Sequence, residues 1–120
     1  MLVRMKGLPE NVLGFEAKGE VTGADYETVL IPAVDEMLAR RKKIRFLYHL
    51  GNEFAGIDAK AMWDDAKVGL QHLTGWERVA VVTDVGWIRT AVKTFGFVMP
   101  GLVRIFSNSE LAAARLLVSE

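Results

Sequence analysis

The sequence predicts an α/β fold in which apolar strands alternate with amphipathic helices around a mixed, mostly parallel sheet of about five strands. Ile44–Leu50, Arg78–Thr83 and Leu102–Phe106 have the composition of strands, and a helical pattern follows each of them within a few residues. This alternation is typical of domains whose helices pack on a largely parallel sheet. We therefore expect a two-layer sandwich with four main helices, in the order β-β-α-β-α-β-α-β-α.

Length and composition indicate one domain over residues 1–120. The chain is 51% hydrophobic and 25% charged, which is enough apolar sequence for an ordinary core. The 15 basic and 15 acidic side chains cancel, which argues against a nucleic-acid partner. Cysteine is absent, so disulfides and thiolate chemistry are excluded. Because neither a secretion signal nor a long apolar run is visible, we expect a cytoplasmic protein with no transmembrane segment.

The N-terminal part predicts two strands and a long helix. Leu2–Lys6 fits a short edge strand, and Val12–Glu20 alternates in the manner of a half-buried strand. Thr22–Asp25 has the spacing of a capping box, and apolar residues then recur at helical steps over Tyr26–Leu38. Pro32 lies within this helix, where it is expected to kink the helix or to mark a restart.

The later strands and helices follow in regular order. Ile44–Leu50 is apolar almost throughout, which indicates a central strand buried on both faces. Gly51–Ile57 is expected to be a loop. Asp58, Asp84 and a Ser107–Glu110 capping box are expected to begin the three later helices. The residues expected to face the core from the helix after Asp58 are Met62, Ala66, Gly69, Leu70 and Leu73.

The element order and several marker residues resemble the STAS fold, and more closely the small stand-alone bacterial SpoIIAA-like proteins. The stretches that carry the resemblance are Asp25-Tyr26 through Pro32, Ile44–Leu47, Trp63-Asp64-Asp65, Val79–Asp84 with Trp87, and Ile105-Phe106 to Glu110–Ala114. The resemblance implies a binding or regulatory module. STAS domains share much of their chain path with the lipid-carrying CRAL-TRIO domains, which extends the implied ligands to lipid-like molecules.

The loop after the central strand departs from the pattern of the anti-sigma antagonists, which carry a phosphorylatable serine there. The matching stretch, Gly51–Asp58, contains no Ser, Thr or Tyr. A phosphoserine switch needs an acceptor hydroxyl, so this loop cannot operate one. The resemblance therefore implies a module without that switch.

The sequence shows no catalytic or metal-binding pattern. Its serines lie around the last helix and none stands in a nucleophile elbow, while His49 and His72 lack the spacing of metal ligands. We expect no metal, no cofactor and no enzymatic activity. Two alternatives stay open: a small enzyme that uses Asp84, Glu53 or His49 as acid or base, and an anti-sigma-antagonist-like regulator.

Apolar side chains near the carboxyl ends of the strands form the predicted site. Aromatic residues fall in loops and on helix edges, where such residues usually have a covering partner. Ligands of open α/β sheets bind at these strand ends. We expect a homodimer that binds a protein partner or an apolar small molecule there, and peripheral membrane contact stays open. The predicted binding residues are Asn52, Glu53, Phe54, Ile57, Asp84, Trp87, Phe97 and Met99.

Overall fold

A mixed sheet of five strands organises the fold in the computed structural model, which describes residues 1–96 and 101–120. The strands are β1 (Leu2–Arg4), β2 (Val12–Ala17), β3 (Gly19–Val21), β4 (Ile44–Leu50), β5 (Phe54–Ile57), β6 (Trp76–Thr83) and β7 (Leu102–Phe106). The helices are α1 (Gly23–Asp25), α2 (Ile31–Arg40), α3 (Ala59–Gln71), α4 (Gly86–Gly96) and α5 (Leu111–Ser119). A π-helical segment, Tyr26–Leu30, joins α1 to α2, and a 3-10 turn, Asn108–Glu110, precedes α5.

The five-stranded sheet has the order β1-β2-β4-β6-β7. Strand β1 is antiparallel to β2, whereas the β2–β4, β4–β6 and β6–β7 pairs are parallel. The predicted α/β fold with a mixed, mostly parallel sheet is therefore confirmed.

Two predicted segments fold differently from the prediction, and two strands differ at one end, since β1 stops at Arg4 rather than Lys6 and β6 begins at Trp76 rather than Arg78. The Val12–Glu20 run breaks into β2 and β3 because Gly19 takes a positive φ of 60°, a left-handed conformation that interrupts a strand. The predicted loop Gly51–Ile57 contains β5, which pairs with β3 in a separate two-stranded sheet. A strand this short, with Gly56 inside it, gives almost no sequence signal.

Helices lie on both faces of the five-stranded sheet. Phe46 and Tyr48 of β4 belong to a core cluster with α2, whereas Leu47 between them packs in a second cluster with Ala114 and Val118 of α5. The reason is the continuous apolarity of the central strands. Alternate side chains point to opposite faces, and each apolar face needs its own cover.

The first long helix is capped and interrupted as the sequence predicts. Asp25 donates its backbone N–H to Thr22 Oγ1 at 3.3 Å, and Thr22 donates its N–H to Asp25 Oδ2 at 2.9 Å, which confirms the capping box. The π-helical turn then ends where α2 restarts, with Pro32 in its first turn. A proline there lacks only an N–H that the helix start does not use.

Two of the three predicted caps of the later helices are present, whereas the Asp84 side chain bonds to a different element. Asp58 accepts the backbone N–H of Ala61 at 2.7 Å, and Ser107 forms the predicted capping box with Glu110. Asp84 Oδ1 instead accepts the backbone N–H of Asn108 at 2.9 Å, so it supports the turn before α5. Within residues 1–96 and 101–120, no helix combines the length and apolarity that crossing a membrane requires.

Candidate functional site

A largely apolar cavity of about 290 Å³ lies between α3, α4 and one face of the sheet. Strands β4, β6 and β7 form its floor, and Tyr26 and Leu30 of the π-helical segment form one wall. Its size is at the lower end of small-molecule sites, which span about 300–1,000 Å³. It extends from Trp76 at the start of β6 to Leu50 at the end of β4. The cavity therefore runs along the strands and reaches the carboxyl end of β4.

Helix α3 turns a different face to the core than its apolar pattern predicts. Its buried residues include Ala61, Asp64 and Val68, because this side leans on α1. Met62 and Leu70, expected in the core, are 47% and 56% exposed. The prediction failed because a pattern cannot show that the space beneath a helix is partly empty. Of the predicted face, Gly69 is buried as expected, and Met62, Ala66 and Gly69 line the cavity.

Helices α3 and α4 touch at one close contact beside the cavity. Phe95 of α4 packs on Gly69 of α3, where a Cβ would lie 2.7 Å from the ring Cζ. Both residues also line the cavity. Glycine at position 69 thus lets the two helices meet over the sheet without displacing the Phe95 ring.

The cavity has one polar wall, a chain of three hydrogen-bonded side chains. Tyr26 donates its hydroxyl hydrogen to Asp65 Oδ1 at 2.8 Å, and the hydroxyl oxygens of Tyr26 and Tyr48 lie 2.9 Å apart. All three residues line the cavity. Both tyrosines are buried, at 0% and 6% exposure, so these bonds satisfy hydroxyls that water does not reach.

Burial shifts the titration of this chain. It raises the pKa of both tyrosines, and the nearby Asp65 charge adds to the effect at each. Asp65 as a residue is exposed on α3, but its carboxyl lies among the protein atoms that line the cavity. This burial raises the pKa of the Asp65 carboxyl, and the hydrogen bond from Tyr26 opposes the rise by stabilising the ionised form.

Large apolar side chains stand exposed at and near the cavity. Trp87 at the start of α4 and Met62 on α3 line it and are 51% and 47% exposed. Trp63 and Leu70 on α3 add exposures of 65% and 56% outside the lining. Singly exposed apolar residues are ordinary, but two exposed tryptophans on the two helices that border an apolar cavity are typical of a binding surface.

A charged cluster lies at the carboxyl ends of β2 and β4. His49 Nδ1 is 3.4 Å from Glu16 Oε2, and Lys18 Nζ lies 3.4 Å from Glu16 and 3.5 Å from Glu53. The two glutamates raise the pKa of Lys18. His49 alternates with the cavity-lining Tyr48 and Leu50 along β4, so its side chain points to the opposite face of the sheet.

A second, basic depression of about 660 Å³ lies between α4 and the edge strand β7. Arg89, Lys93 and Arg104 line it, and Arg89 also donates to the carbonyl oxygen of Thr83 at 2.9 Å. Val92 and Val103 line both this depression and the apolar cavity. The two are therefore neighbours of opposite chemical character.

The structure separates the predicted site residues. Ile57 and Trp87 line the apolar cavity, while Phe54 packs against the core from β5. The remaining described residues lie outside the lining, since Asn52 and Glu53 are exposed in the β4–β5 turn and Asp84 is exposed beside Asn108. Phe97 and Met99 lie outside the described residues.

Three polar residues of the cavity were missed: Tyr26, Tyr48 and Asp65. Tyr26 and Tyr48 were assigned to a core stripe and a buried strand, which is where they lie. The available signal was their hydroxyls, because a tyrosine in a continuous apolar segment needs a buried hydrogen-bond partner. The residue that supplies it, Asp65, gives no sign of this role in the sequence.

Comparison with known proteins places the chain in a family. The sequence model of the SpoIIAA-like family matches residues 12–116. The chain belongs to the SpoIIAA-like family. The crystal structure of an uncharacterised protein from Shewanella loihica PV-4, of the DUF3478 family and with a SpoIIAA-like fold, is similar with a TM-score of 0.70 and 29% sequence identity. The alignment covers 88% of this chain and 84% of that one. No curated protein sequence matches significantly.

Membership of the SpoIIAA-like family supports a binding or regulatory module in general terms. The Shewanella relative is itself uncharacterised, so the chemistry of any ligand has to come from the residues of this chain. Within residues 1–96 and 101–120, no three side chains of the His, Asp and Glu types group as metal ligands would. The apolar cavity with its tyrosine–aspartate wall is the most site-like feature of this SpoIIAA-like protein.

Proposed function

We propose that this SpoIIAA-like protein is a non-catalytic binding module that holds an apolar small molecule in the cavity between α3, α4 and the sheet. The observation that carries the proposal is the cavity itself, whose lining is predominantly aliphatic and aromatic. Apolar molecules bind such sites because burial removes their surface from water, at about 25 cal/mol per Å². Exposed Trp87 and Met62 at its wall give such a ligand further apolar contact.

A cavity-filling variant tests the proposal. Ala91 on α4 lines the cavity, so Ala91→Phe would place a ring in the space that the ligand needs. We expect the variant to bind an environment-sensitive apolar dye at least about tenfold more weakly than the native protein, a loss of about 1.4 kcal/mol. The measurement is a fluorescence titration, accompanied by circular dichroism to verify folding.

Ala113→Phe is the matched control, since Ala113 is an exposed alanine on α5, outside the cavity lining. It adds the same ring to the outer surface of α5, the helix on the opposite side of the sheet, and should leave the dye affinity unchanged. Equal dye binding by Ala91→Phe and Ala113→Phe, with both variants folded, would show that the cavity is not the binding site.

A protein partner is the second candidate, and exposed Trp63 and Leu70 favour it. Both are large apolar side chains on the outer surface of α3, of the kind that interfaces cover. A second copy of this chain is the simplest such partner. Sedimentation of the native protein against a Trp63→Ser, Leu70→Ser double variant tests this: the native protein should sediment as a dimer and the variant as a monomer. Monomeric native protein would rule out the second copy.

A further inference from the structure

The polar wall of the cavity has already used its hydrogen-bond donors internally. Tyr26 donates its single hydroxyl hydrogen to Asp65 Oδ1 at 2.8 Å. With that hydrogen committed, the 2.9 Å contact between Tyr26 and Tyr48 has to be donated by Tyr48. Neither hydroxyl hydrogen is then free for a ligand.

The groups of this wall that remain available to a ligand are hydrogen-bond acceptors. Among residues 1–96 and 101–120, Asp65 Oδ2 has no hydrogen-bond partner, and the Tyr48 oxygen keeps lone pairs that can accept. Trp76 also lines the cavity, but its Nε1–H is 3.3 Å from the carbonyl oxygen of Gly69 and donates to it. The tyrosine–aspartate wall therefore offers oxygen acceptors and no unused O–H. The one side-chain N–H of the described lining without a hydrogen-bond partner is Nε1–H of the half-exposed Trp87, a neutral donor on a different helix from Asp65.

The charges around the cavity point the same way. The described lining contains Asp65 and no lysine, arginine or histidine. The two lysines of α3 lie outside the lining: Lys60 pairs with Glu27 at 2.6 Å, and Lys67 is exposed. A positive ligand group would thus meet a carboxylate oxygen with no partner in the described lining. A negative group would meet a like charge, and the basic residues Arg89 and Lys93 line the neighbouring depression rather than this cavity.

We propose that the cavity takes an amphiphile whose end group donates hydrogen bonds and carries positive charge, such as a primary aliphatic amine. Its ammonium group binds Asp65 Oδ2 and the Tyr48 oxygen, and its chain lies along the apolar floor formed by β4 and β6. This assignment rests on the proposed binding of an apolar molecule in the cavity, and it selects amines over carboxylic acids of the same chain length.

A matched set of octyl compounds tests the assignment on the native protein. Octylamine, 1-octanol and octanoate share one chain and differ in the end group, and Trp76 and Trp87 in the lining provide a fluorescence signal. We expect octylamine to bind at least about tenfold more tightly than octanoate at neutral pH, with 1-octanol between them, because a charge-assisted hydrogen bond is stronger than a neutral one. Octanoate binding as tightly as octylamine would overturn the assignment.

Asp65→Asn locates the selectivity, and Asp35→Asn controls for the loss of one acidic charge. Asparagine keeps the shape of Asp65 but removes the negative charge, so the variant should bind octylamine at least about tenfold more weakly and lose most of its preference over octanoate. Asp35 is exposed on α2 and outside the lining, and its variant should behave as the native protein does. An unchanged preference in Asp65→Asn, verified to be folded, would also overturn the assignment.

The same titrations separate this assignment from the function on which it rests. Tight binding of all three octyl compounds with equal affinity would support an apolar cavity site and overturn only the selection of amines. Failure of all three compounds to bind would overturn both, since no apolar chain of this size would then enter the cavity.

Discussion

Tyr26 is the residue on which the polar wall of the cavity depends. Its hydroxyl is the only group within the described chain that contacts both Tyr48 and Asp65 by hydrogen bonds, at 2.9 and 2.8 Å. It is fully buried at the start of the π-helical segment, opposite β4. Removing this one oxygen therefore leaves the buried Tyr48 hydroxyl without its partner and also removes the donor to Asp65 Oδ1, which costs more than losing a single exposed hydrogen bond.

Tyr26→Phe and Tyr48→Phe test this dependence as a pair. Tyr26→Phe breaks two hydrogen bonds and leaves the Asp65 carboxylate without a donor, so we expect a loss of about 2–3 kcal/mol in the free energy of unfolding. Tyr48→Phe breaks one bond and leaves the Tyr26–Asp65 bond intact, at a cost of about 0.5–1.5 kcal/mol. Urea unfolding measures both. Equal losses in the two variants would mean that Asp65 does not depend on Tyr26.

The pH dependence of stability reports on Asp65. Burial raises the pKa of Asp65 in the folded protein, which therefore holds the Asp65 proton more tightly than the unfolded chain does. This preference stabilises the fold below the usual aspartate pKa of about 3.9 and is lost as pH rises through the higher folded value. Asp65→Asn removes it. We expect the unfolding free energy of the variant, relative to native, to increase between about pH 3 and about pH 7.

Glu110→Gln is the control of opposite sign. Hydrogen bonds from the Ser107 backbone and side chain lower the pKa of Glu110, so its contribution is present at neutral pH and is lost as pH falls through the folded pKa. Relative to native, the unfolding free energy of Glu110→Gln should therefore decrease over the same rise in pH. Both are measured by chemical denaturation at a series of pH values, and parallel slopes for the two variants would contradict the account.

At the scale of elements, the regular strands and helix caps could be predicted and the cavity could not. Ile44–Leu50 was predicted with its observed bounds, since its apolarity and length leave few alternatives. The Thr22 and Ser107 capping boxes were also found, because they depend on contacts three residues apart. Such features are local, so the sequence displays them directly.

The missed features depend on how elements pack. Asp84 was predicted to cap its own helix but binds Asn108, which the fold brings to the neighbouring strand end. Met62 was predicted in the core but lies at a cavity, because α3 leans on α1 and leaves space above the sheet. The tyrosine–aspartate chain joins residues 22 and 39 positions apart. No periodicity or spacing encodes contacts of that range.

Gly101, immediately before β7, packs closely against the backbone of β6, and a small substitution tests this contact. A Cβ at Gly101 would collide with the carbonyl oxygen of Trp76 on β6, a backbone atom that cannot move aside alone. We expect Gly101→Ala to push β7 away from β6 and to lower the unfolding free energy by about 1–3 kcal/mol. Gly56→Ala is the control, because nothing lies within 4 Å of a Cβ there. Thermal unfolding compares the two, and an undisturbed Gly101→Ala variant would contradict the described β6–β7 contact.

At the scale of the whole molecule, the cavity lies where the helices do not fully pack against the sheet. Helix α5 closes one face through Ala114 and Val118, whereas on the other face α3 and α4 leave about 290 Å³ between themselves and the strands. The exposed tryptophans Trp63 and Trp87 lie on these same two helices. The unfilled apolar space and the exposed aromatic area therefore occur together, on one side of the domain.

The central claim is that this space holds an apolar molecule, and native mass spectrometry of the freshly purified protein tests it most directly. The chain has a mass of 13.3 kDa, against which a small bound molecule is readily resolved. We expect a native mass above that of the chain, or of its integral oligomer. The excess should be lost on denaturation and be carried by an apolar compound with an amine or other hydrogen-bond-donating end. A native mass equal to that of the protein alone, unchanged after incubation with octylamine, would contradict the claim.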